Sequence, residues 1–327
     1  MARYALIGLL LLAAALAPLA LPWSKVILTI VLAKGLAVLG ILVLLRAGQV
    51  SFGHAMFYAA SAYAAAFMAR AHGGSEVLLL LPLGLLTGAA FGLVLGLFVV
   101  RYRYIFFAML NLAFSMVLWS IMEKFYRITG GTDGLSVPRP TLFGMALERT
   151  PYEWGLYYLA LVMAVLIALA VHRYLDSPLG QALGALKTNE TRLEYLGVSA
   201  KRVLLVAYVL SAALAGLGGT LLVISLGHVT PELGYWVRSG EFVFIAILGG
   251  AGNVLGPFLG ALVYEVVRTY ASAYAAHIWQ LVLGTVLLLI ILFVPKGLIG
   301  LYEARAAWSR RRELAQQQQQ QQRAGVP

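Results

Sequence analysis

Cysteine is absent from this 327-residue chain. That excludes disulfide stapling, thiol catalysis and thiolate-held metal together. Charge is nearly as scarce. Asp, Glu, Lys and Arg make up 11% of the residues, where a soluble domain carries about 25%. A single water-facing core is therefore excluded, and a bilayer is the solvent. Within the small charged set, 13 acids face 24 Lys and Arg. The net +11 would point to nucleic acid in a soluble protein. In a chain of mean hydropathy +0.87 it reads instead as basic loops on the cytoplasmic side of a membrane, and no nucleic-acid partner is expected. The five histidines, at 54, 72, 172, 228 and 277, lack ligand spacing, so neither a metal nor a cofactor is expected. The sequence contains no nucleophile elbow, no H-E-x-x-H and no Walker motif. It is not the sequence of an enzyme, and if its work is driven by ATP a separate subunit must bind the nucleotide.

What the chain has in abundance is long apolar runs. A helix needs about 20 apolar residues to cross a bilayer. Candidate spans cover roughly 4–21, 26–45, 50–70, 77–100, 104–122, 154–172, 203–225, 235–250, 254–270 and 278–295. The expected fold is an all-α polytopic membrane helix bundle with about ten transmembrane helices (8–10), built by residues 1–302. The eighth and ninth runs are short and broken by Gly249-Gly250-Ala251-Gly252-Asn253, so a re-entrant pair or a half-helix stays open there. Arg3, an apolar run and Ala15-Leu16-Ala17 resemble a signal peptide, but the first helix is read as retained. Placing the C-terminus inside puts most of the 24 Lys and Arg in the cytoplasm. This satisfies the positive-inside rule with both termini cytoplasmic, in a multi-pass protein of the cell inner membrane. Residues 303–327 are basic and then glutamine-rich, and read as a disordered cytoplasmic tail.

Polar features stand out against this background. The longest is the segment 173–202, placed in the cytoplasm, with five basic and three acidic residues. It has a helix start at Asp176-Ser177-Pro178, a stop at Gly197, and apolar positions Ala182, Leu183, Leu186, Leu193 and Leu196. It reads either as a solvated connector or as a helix that docks a soluble subunit. Gly84, Gly88, Gly92 and Gly96 repeat every four residues, a seam for close helix packing. Gly252, Gly256 and Gly260 repeat the device, with Pro257 expected to kink that helix. Polar residues inside spans are costly and invite a functional reading. They include Gln49, Ser51 and His54 near one span end, Asn111 and Ser115 one turn apart, and the carboxylates Glu241 and Glu265. Arg238 and Arg268 stand three residues from those carboxylates, so local ion pairs compete with a proton relay. The outside loop 123–153 holds Thr129-Gly130-Gly131-Thr132-Asp133-Gly134, a density of glycine that makes turns.

Four segments together resemble the permease subunits of branched-chain amino acid ABC transporters, of the LivM-like type. They are Gly48-Gln49-Val50-Ser51-Phe52-Gly53-His54, the loop Thr129 to Leu135, the stretch Ser177-Pro178-Leu179-Gly180 through Asn189-Glu190 to Glu194-Tyr195-Leu196-Gly197, and Gly249 to Pro257 with Pro295-Lys296-Gly297-Leu298. The resemblance covers roughly residues 35–302. It implies the pore-forming subunit of an ATP-driven importer for branched-chain or other hydrophobic amino acids. Two cytoplasmic ATP-binding subunits, a second, paralogous permease and an extracytoplasmic substrate-binding protein would complete the complex. Gly180, Leu186, Lys187, Asn189, Glu190, Arg192, Leu193, Glu194, Leu196 and Gly197 would form the ATPase-coupling loop, with charge setting the dock and Leu186, Leu193 and Leu196 as buried anchors. Gln49, Ser51, His54, Asn111, Gly252, Asn253 and Gly256 are candidates for translocation or packing. Gly130, Gly131, Asp133 and Gly134 would form the periplasmic loop. The competing reading is a stand-alone proton-coupled secondary transporter or channel.

Overall fold

A computed structural model describes residues 12–274, 277–293 and 297–300. The tail 303–327, the start of the first span and Pro295-Lys296 lie outside these residues. Helix occupies each candidate run: α1 (12–20), α2 (Lys25–Arg46), α3 (His54–Ala71), α4 (Val77–Val99), α5 (Tyr104–Lys124), α7 (Arg149–Asp176), α10 (Ala200–Leu226), α11 (Trp236–Gly249), α12 (Gly256–Tyr274) and α13 (Trp279–Phe293). The one-turn helix α6 (Tyr126–Thr129) and the pair α8 (Pro178–Thr188) and α9 (Glu190–Tyr195) lie in the polar connections. Among the described residues five helices, α2 with its preceding turn, α4, α5, α7 and α10, are long and apolar enough to cross a membrane. The all-α expectation needs one small amendment. Strand β1 (Leu135–Ser136) pairs antiparallel with β2 (His228–Val229), tying the glycine-rich loop to the end of α10.

Burial separates the hub from the rim. The apolar windows of α2 and α10 are each 78% buried, against 22–33% for α4, α5 and α7. α10 earns its central place through small residues on three sides. A side chain at Gly216 would overlap the Gly84 carbonyl of α4, one at Gly218 the Ala33 carbonyl of α2, and one at Gly219 the Tyr58 carbonyl of α3. The seam of α4 answers from its side: Gly84, Gly88, Gly92 and Gly96 are its buried glycines, and they face Thr220, Ala212, Gly216 and Tyr208 of α10. Without a hydrophobic drive between helices in lipid, such close backbone approach supplies the dispersion that holds them.

The second glycine repeat behaves differently from its expectation. Gly256 and Gly260 do close on α11, against Gly249, Gly250 and the Ile245 carbonyl. Gly252 lies in the turn between α11 and α12 with open space around it. Pro257 falls in the first turn of α12, where its missing N–H costs no helical bond, so it starts the helix and does not kink it. With 14 residues, α11 is about 21 Å long at 1.5 Å per residue, shorter than the hydrocarbon core.

Candidate functional site

The polar segment folds as a helical hairpin, two helices and not one. Ser177 is the cap of α8: its hydroxyl donates to the Tyr174 carbonyl at 2.6 Å and accepts from the Gly180 amide at 3.4 Å, while Pro178 occupies the first turn. Gly180 is required because any side chain there would overlap the carbonyls of Tyr174 and Leu175, where α7 bends into α8. Asn189 separates the helices and caps α9, accepting the Arg192 amide at 2.9 Å. Gly197, at φ +80°, closes α9 in the left-handed region.

The apolar residues divide between two sides. Leu183, Leu186 and Leu193 are buried in the chain's own core, so Leu186 and Leu193 hold the hairpin to the bundle. The outward apolar residues are Leu179, Tyr195 and Leu196, the last two 87% and 74% exposed. Lys187, Arg192 and Glu194 are also exposed. Glu190 is engaged within the chain: Arg103, in the α4–α5 connection, donates to its two carboxylate oxygens at 2.9 and 2.6 Å. The same connection is tied to the α2–α3 loop, because the Gln49 side chain accepts the Tyr104 amide at 2.8 Å. Gly48, at φ +70°, lies under the Lys187 side chain, where a Cβ would crowd it at 2.9 Å. Thus the motif at 48–54, the Arg103 turn and the hairpin form one joint, brought together from three distant stretches of sequence.

The intramembrane polar candidates are placed in packing contacts. Ser51 accepts the Gly53 amide at 3.3 Å, and His54 Nε2 is 2.6 Å from the Ser211 hydroxyl. Ser211 in turn donates to the Gly40 carbonyl at 2.5 Å. Asn111 donates to the Phe107 carbonyl at 2.7 Å and accepts the Tyr208 hydroxyl at 2.5 Å. Ser115 donates to the Gly234 carbonyl at 2.9 Å. The Asn253 side chain accepts the Leu255 amide at 3.2 Å, shaping the α11–α12 turn. At the far end of the bundle, Gly130, Gly131 and Gly134 all have positive φ, and Gly130 would overlap Gly134 if it carried a side chain. Asp133 accepts the Tyr126 hydroxyl at 2.8 Å, and this bond to a carboxylate raises the tyrosine's pKa.

The two membrane carboxylates form the expected local pairs, Arg238–Glu241 at 2.7 Å and Arg268–Glu265 at 3.8 Å. Sequence spacing missed their hub. Lys34 of α2, 2% exposed, bonds Glu265, stands 3.7 Å from Glu241, and lies over the Tyr264 ring. Nothing local to Lys34 signals this, since both partners are over 200 residues away. Breaking a buried pair strands a charge and costs about 3–5 kcal/mol, while an apolar replacement of both partners is often neutral. Glu265→Leu, which leaves the buried Lys34 without its nearest carboxylate, is therefore expected to lower the thermal midpoint of the purified chain in detergent sharply. Adding Lys34→Met removes that stranded charge and should regain much of the loss, and equal melting of the single and double variants would refute the pairing.

Long apolar helices packed on a glycine-lined centre define an all-α membrane bundle. The chain belongs to the family described as branched-chain amino acid transport system permease component, which it matches over residues 24–292. It is 33% identical over 273 residues to the high-affinity branched-chain amino acid transport system permease protein LivM of Escherichia coli (strain K12), covering 77% of this chain. The LivM of Salmonella typhimurium matches to the same extent. The LivH permease of that organism's branched-chain system is 31% identical over 125 residues, 38% of this chain and 40% of LivH. The matched stretch spans 64% of the two LivM proteins, less than two thirds of their length. No solved structure matches the chain.

Proposed function

We propose that this chain is the pore-forming permease subunit of an ATP-driven importer for branched-chain or other hydrophobic amino acids. The full complex would pair it with a paralogous permease, two cytoplasmic ATP-binding subunits and an extracytoplasmic substrate-binding protein. The ten helices at the candidate runs would span or enter the bilayer, with both termini and the α8–α9 hairpin in the cytoplasm and the 129–134 loop outside. The observation that carries this reading is the hairpin: Leu183, Leu186 and Leu193 turn inward, while Leu179, Tyr195 and Leu196 stand exposed. Exposed aromatic and aliphatic residues ringed by Lys187, Arg192 and Glu194 suit a cleft on a soluble partner. ATP binding would draw the ATPases together, and the hairpin would carry the movement through Arg103 to α5 and through the Gly48 loop to α2 and α3.

Buried Lys34 and Glu265, with partly buried Glu241, favour one competing reading, a lone proton-coupled transporter. Energised membrane vesicles separate the two. Leucine uptake is expected to stop on ATP depletion and to persist when an uncoupler removes the proton gradient. Uptake that follows the gradient and ignores ATP would overturn the importer reading.

A further inference from the structure

Between the glycine-rich loop and α7 the chain makes a two-residue hairpin turn. Leu142 and Met145 exchange both backbone hydrogen bonds, each 3.0 Å, around Phe143 and Gly144. Phe143 has φ +52° and Gly144 φ +74°. A hairpin turn with positive φ at both central residues takes Asn-Gly or Asp-Gly by preference, and a bulky aromatic at the first is an outlier. Packing within the chain does not reward it, because Phe143 is 59% exposed and Met145 55%. Leu142 does the local packing: it is buried, and a side chain at Gly155 of α7 would collide with it. A backbone outlier with no internal gain points to function.

Three of the membrane-capable helices fix the level of this turn. Thr141 is bonded to the start of α4, accepting the Val77 amide at 3.0 Å and donating its own amide to the Ser75 carbonyl at 3.1 Å. Leu142 meets Gly155 near the start of α7. Next to Gly155, the Trp154 ring lies under Lys25, the first residue of α2, which stands 3.7 Å from Glu153. The starts of α2, α4 and α7 therefore lie together and mark one surface of the bilayer. Exposed Trp23, half-buried Trp154 and exposed Tyr158 gather at the same level, the residue types of an interfacial belt. Charge nearby is mixed: Arg149 bonds Glu153 at 2.9 Å, and Glu148 is exposed. No field of one sign is built there, so what the turn offers a partner is apolar surface.

We propose that the 142–145 turn is a lipid anchor, with Phe143 and Met145 inserted into the headgroup zone of the leaflet at which α2, α4 and α7 begin. The occupant is the bilayer itself, because the turn's outward apolar residues continue the belt at its own level. The anchor sets the depth of α4 and α7, two rim helices whose apolar windows are mostly unburied. This inference goes beyond the importer reading and rests only on the membrane placement of those helices.

A chain without cysteine allows a clean test. Phe143→Cys and, separately, Met145→Cys carry a small environment-sensitive fluorophore on the full chain, held in phosphatidylcholine nanodiscs so that both faces meet the buffer. At both positions emission should shift to the blue. Lipid bearing a nitroxide near its headgroup should quench it several-fold more than aqueous iodide does. Arg192→Cys, at an exposed position of α9, is the water-facing control and should show the reverse. Phe143→Asn keeps the turn, since asparagine tolerates positive φ, and removes the aromatic. In that background the label at 145 should lose most of its nitroxide quenching. Stronger quenching by iodide at both 143 and 145 would overturn the anchor. So would a label that is shielded only when a substrate-binding protein is added, which would give the turn to that partner. Undiminished nitroxide quenching at 145 in Phe143→Asn would overturn it as well, because Phe143 would then hold nothing in the lipid.

Discussion

Leucine in place of Gly88 is expected to abolish the folded permease. Gly88 sits where α4 crosses α10, and a side chain there would overlap the Ala212 carbonyl and stand 3.1 Å from the Gly216 Cα. Overpacking a core usually costs about 1–3 kcal/mol because neighbouring side chains shift. Here both obstacles are backbone, so the helices themselves must separate. Separation also undoes the approach of Gly84 to Thr220 and of Gly92 to Ala212, one turn to either side. These losses accumulate against a total stability of about 5–15 kcal/mol for a typical domain. Fluorescence-detected size exclusion of a tagged chain should show the monodisperse peak replaced by aggregate. Gly252→Leu is the control, since nothing lies within 4 Å of where a side chain at Gly252 would begin and the residue is outside the seam. Equal collapse of both variants would mean that glycine content and not the α4–α10 crossing is what matters.

That contrast shows how far the sequence could be read. Hydrophobic run length located the helices, because in a bilayer every backbone group must be satisfied within its own segment. The four-residue glycine period on α4 identified a packing face for the same local reason, and the structure puts that face on α10. The second repeat misled at Gly252 because period alone does not say where a helix begins, and here α12 starts only at Gly256. Proline gave a similar ambiguity: Pro257 is a kink in a helix interior and a helix starter in a first turn, and only the boundary decides. The cap signals at Ser177 and Gly197 were legible, but Asn189 as an internal cap divides the expected single helix in two.

What sequence could not show is which distant residues meet. Lys34 reads as an isolated cation in an apolar run until α11 and α12 fold against α2 and bring Glu241 and Glu265 to it. The apolar positions of the hairpin have helical spacing, yet spacing does not tell a leucine that packs on its own bundle from one left for a partner. Leu186 and Leu196 differ in that respect and look alike in the sequence. Charged residues on the hairpin raise the same problem, and Glu190 is the instructive case.

On the proposed importer reading, Glu190→Lys is expected to uncouple transport from ATP hydrolysis while leaving the chain inserted and folded. From sequence, Glu190 would meet the ATPase directly. In the structure its carboxylate receives the fork of Arg103, with a side chain 34% exposed against 15% for Arg103. Bidentate arginine–carboxylate pairs are among the strongest and most directional polar contacts. Partial exposure screens this one, so the stability lost is expected to be about 1 kcal/mol and not the several of a fully buried pair. The mechanical consequence is larger. Lysine at 190 sets two cations together, and α9 loses its tie to the turn that leads into α5. Leu183, Leu186 and Leu193 still hold the hairpin, and Tyr195 and Leu196 still face outward, so the ATPases should dock and hydrolyse ATP. Leucine uptake per ATP should fall at least tenfold, the effect of about 1.4 kcal/mol on a coupling equilibrium. Charge reversal of the pair, Arg103→Glu with Glu190→Lys, then tells the two roles apart. If the residue acts through Arg103, the reversed pair restores uptake. If it acts on the ATPase surface, that surface still meets a lysine at 190 and uptake stays low. Wild-type uptake in the single variant would remove Glu190 from the coupling path under either account.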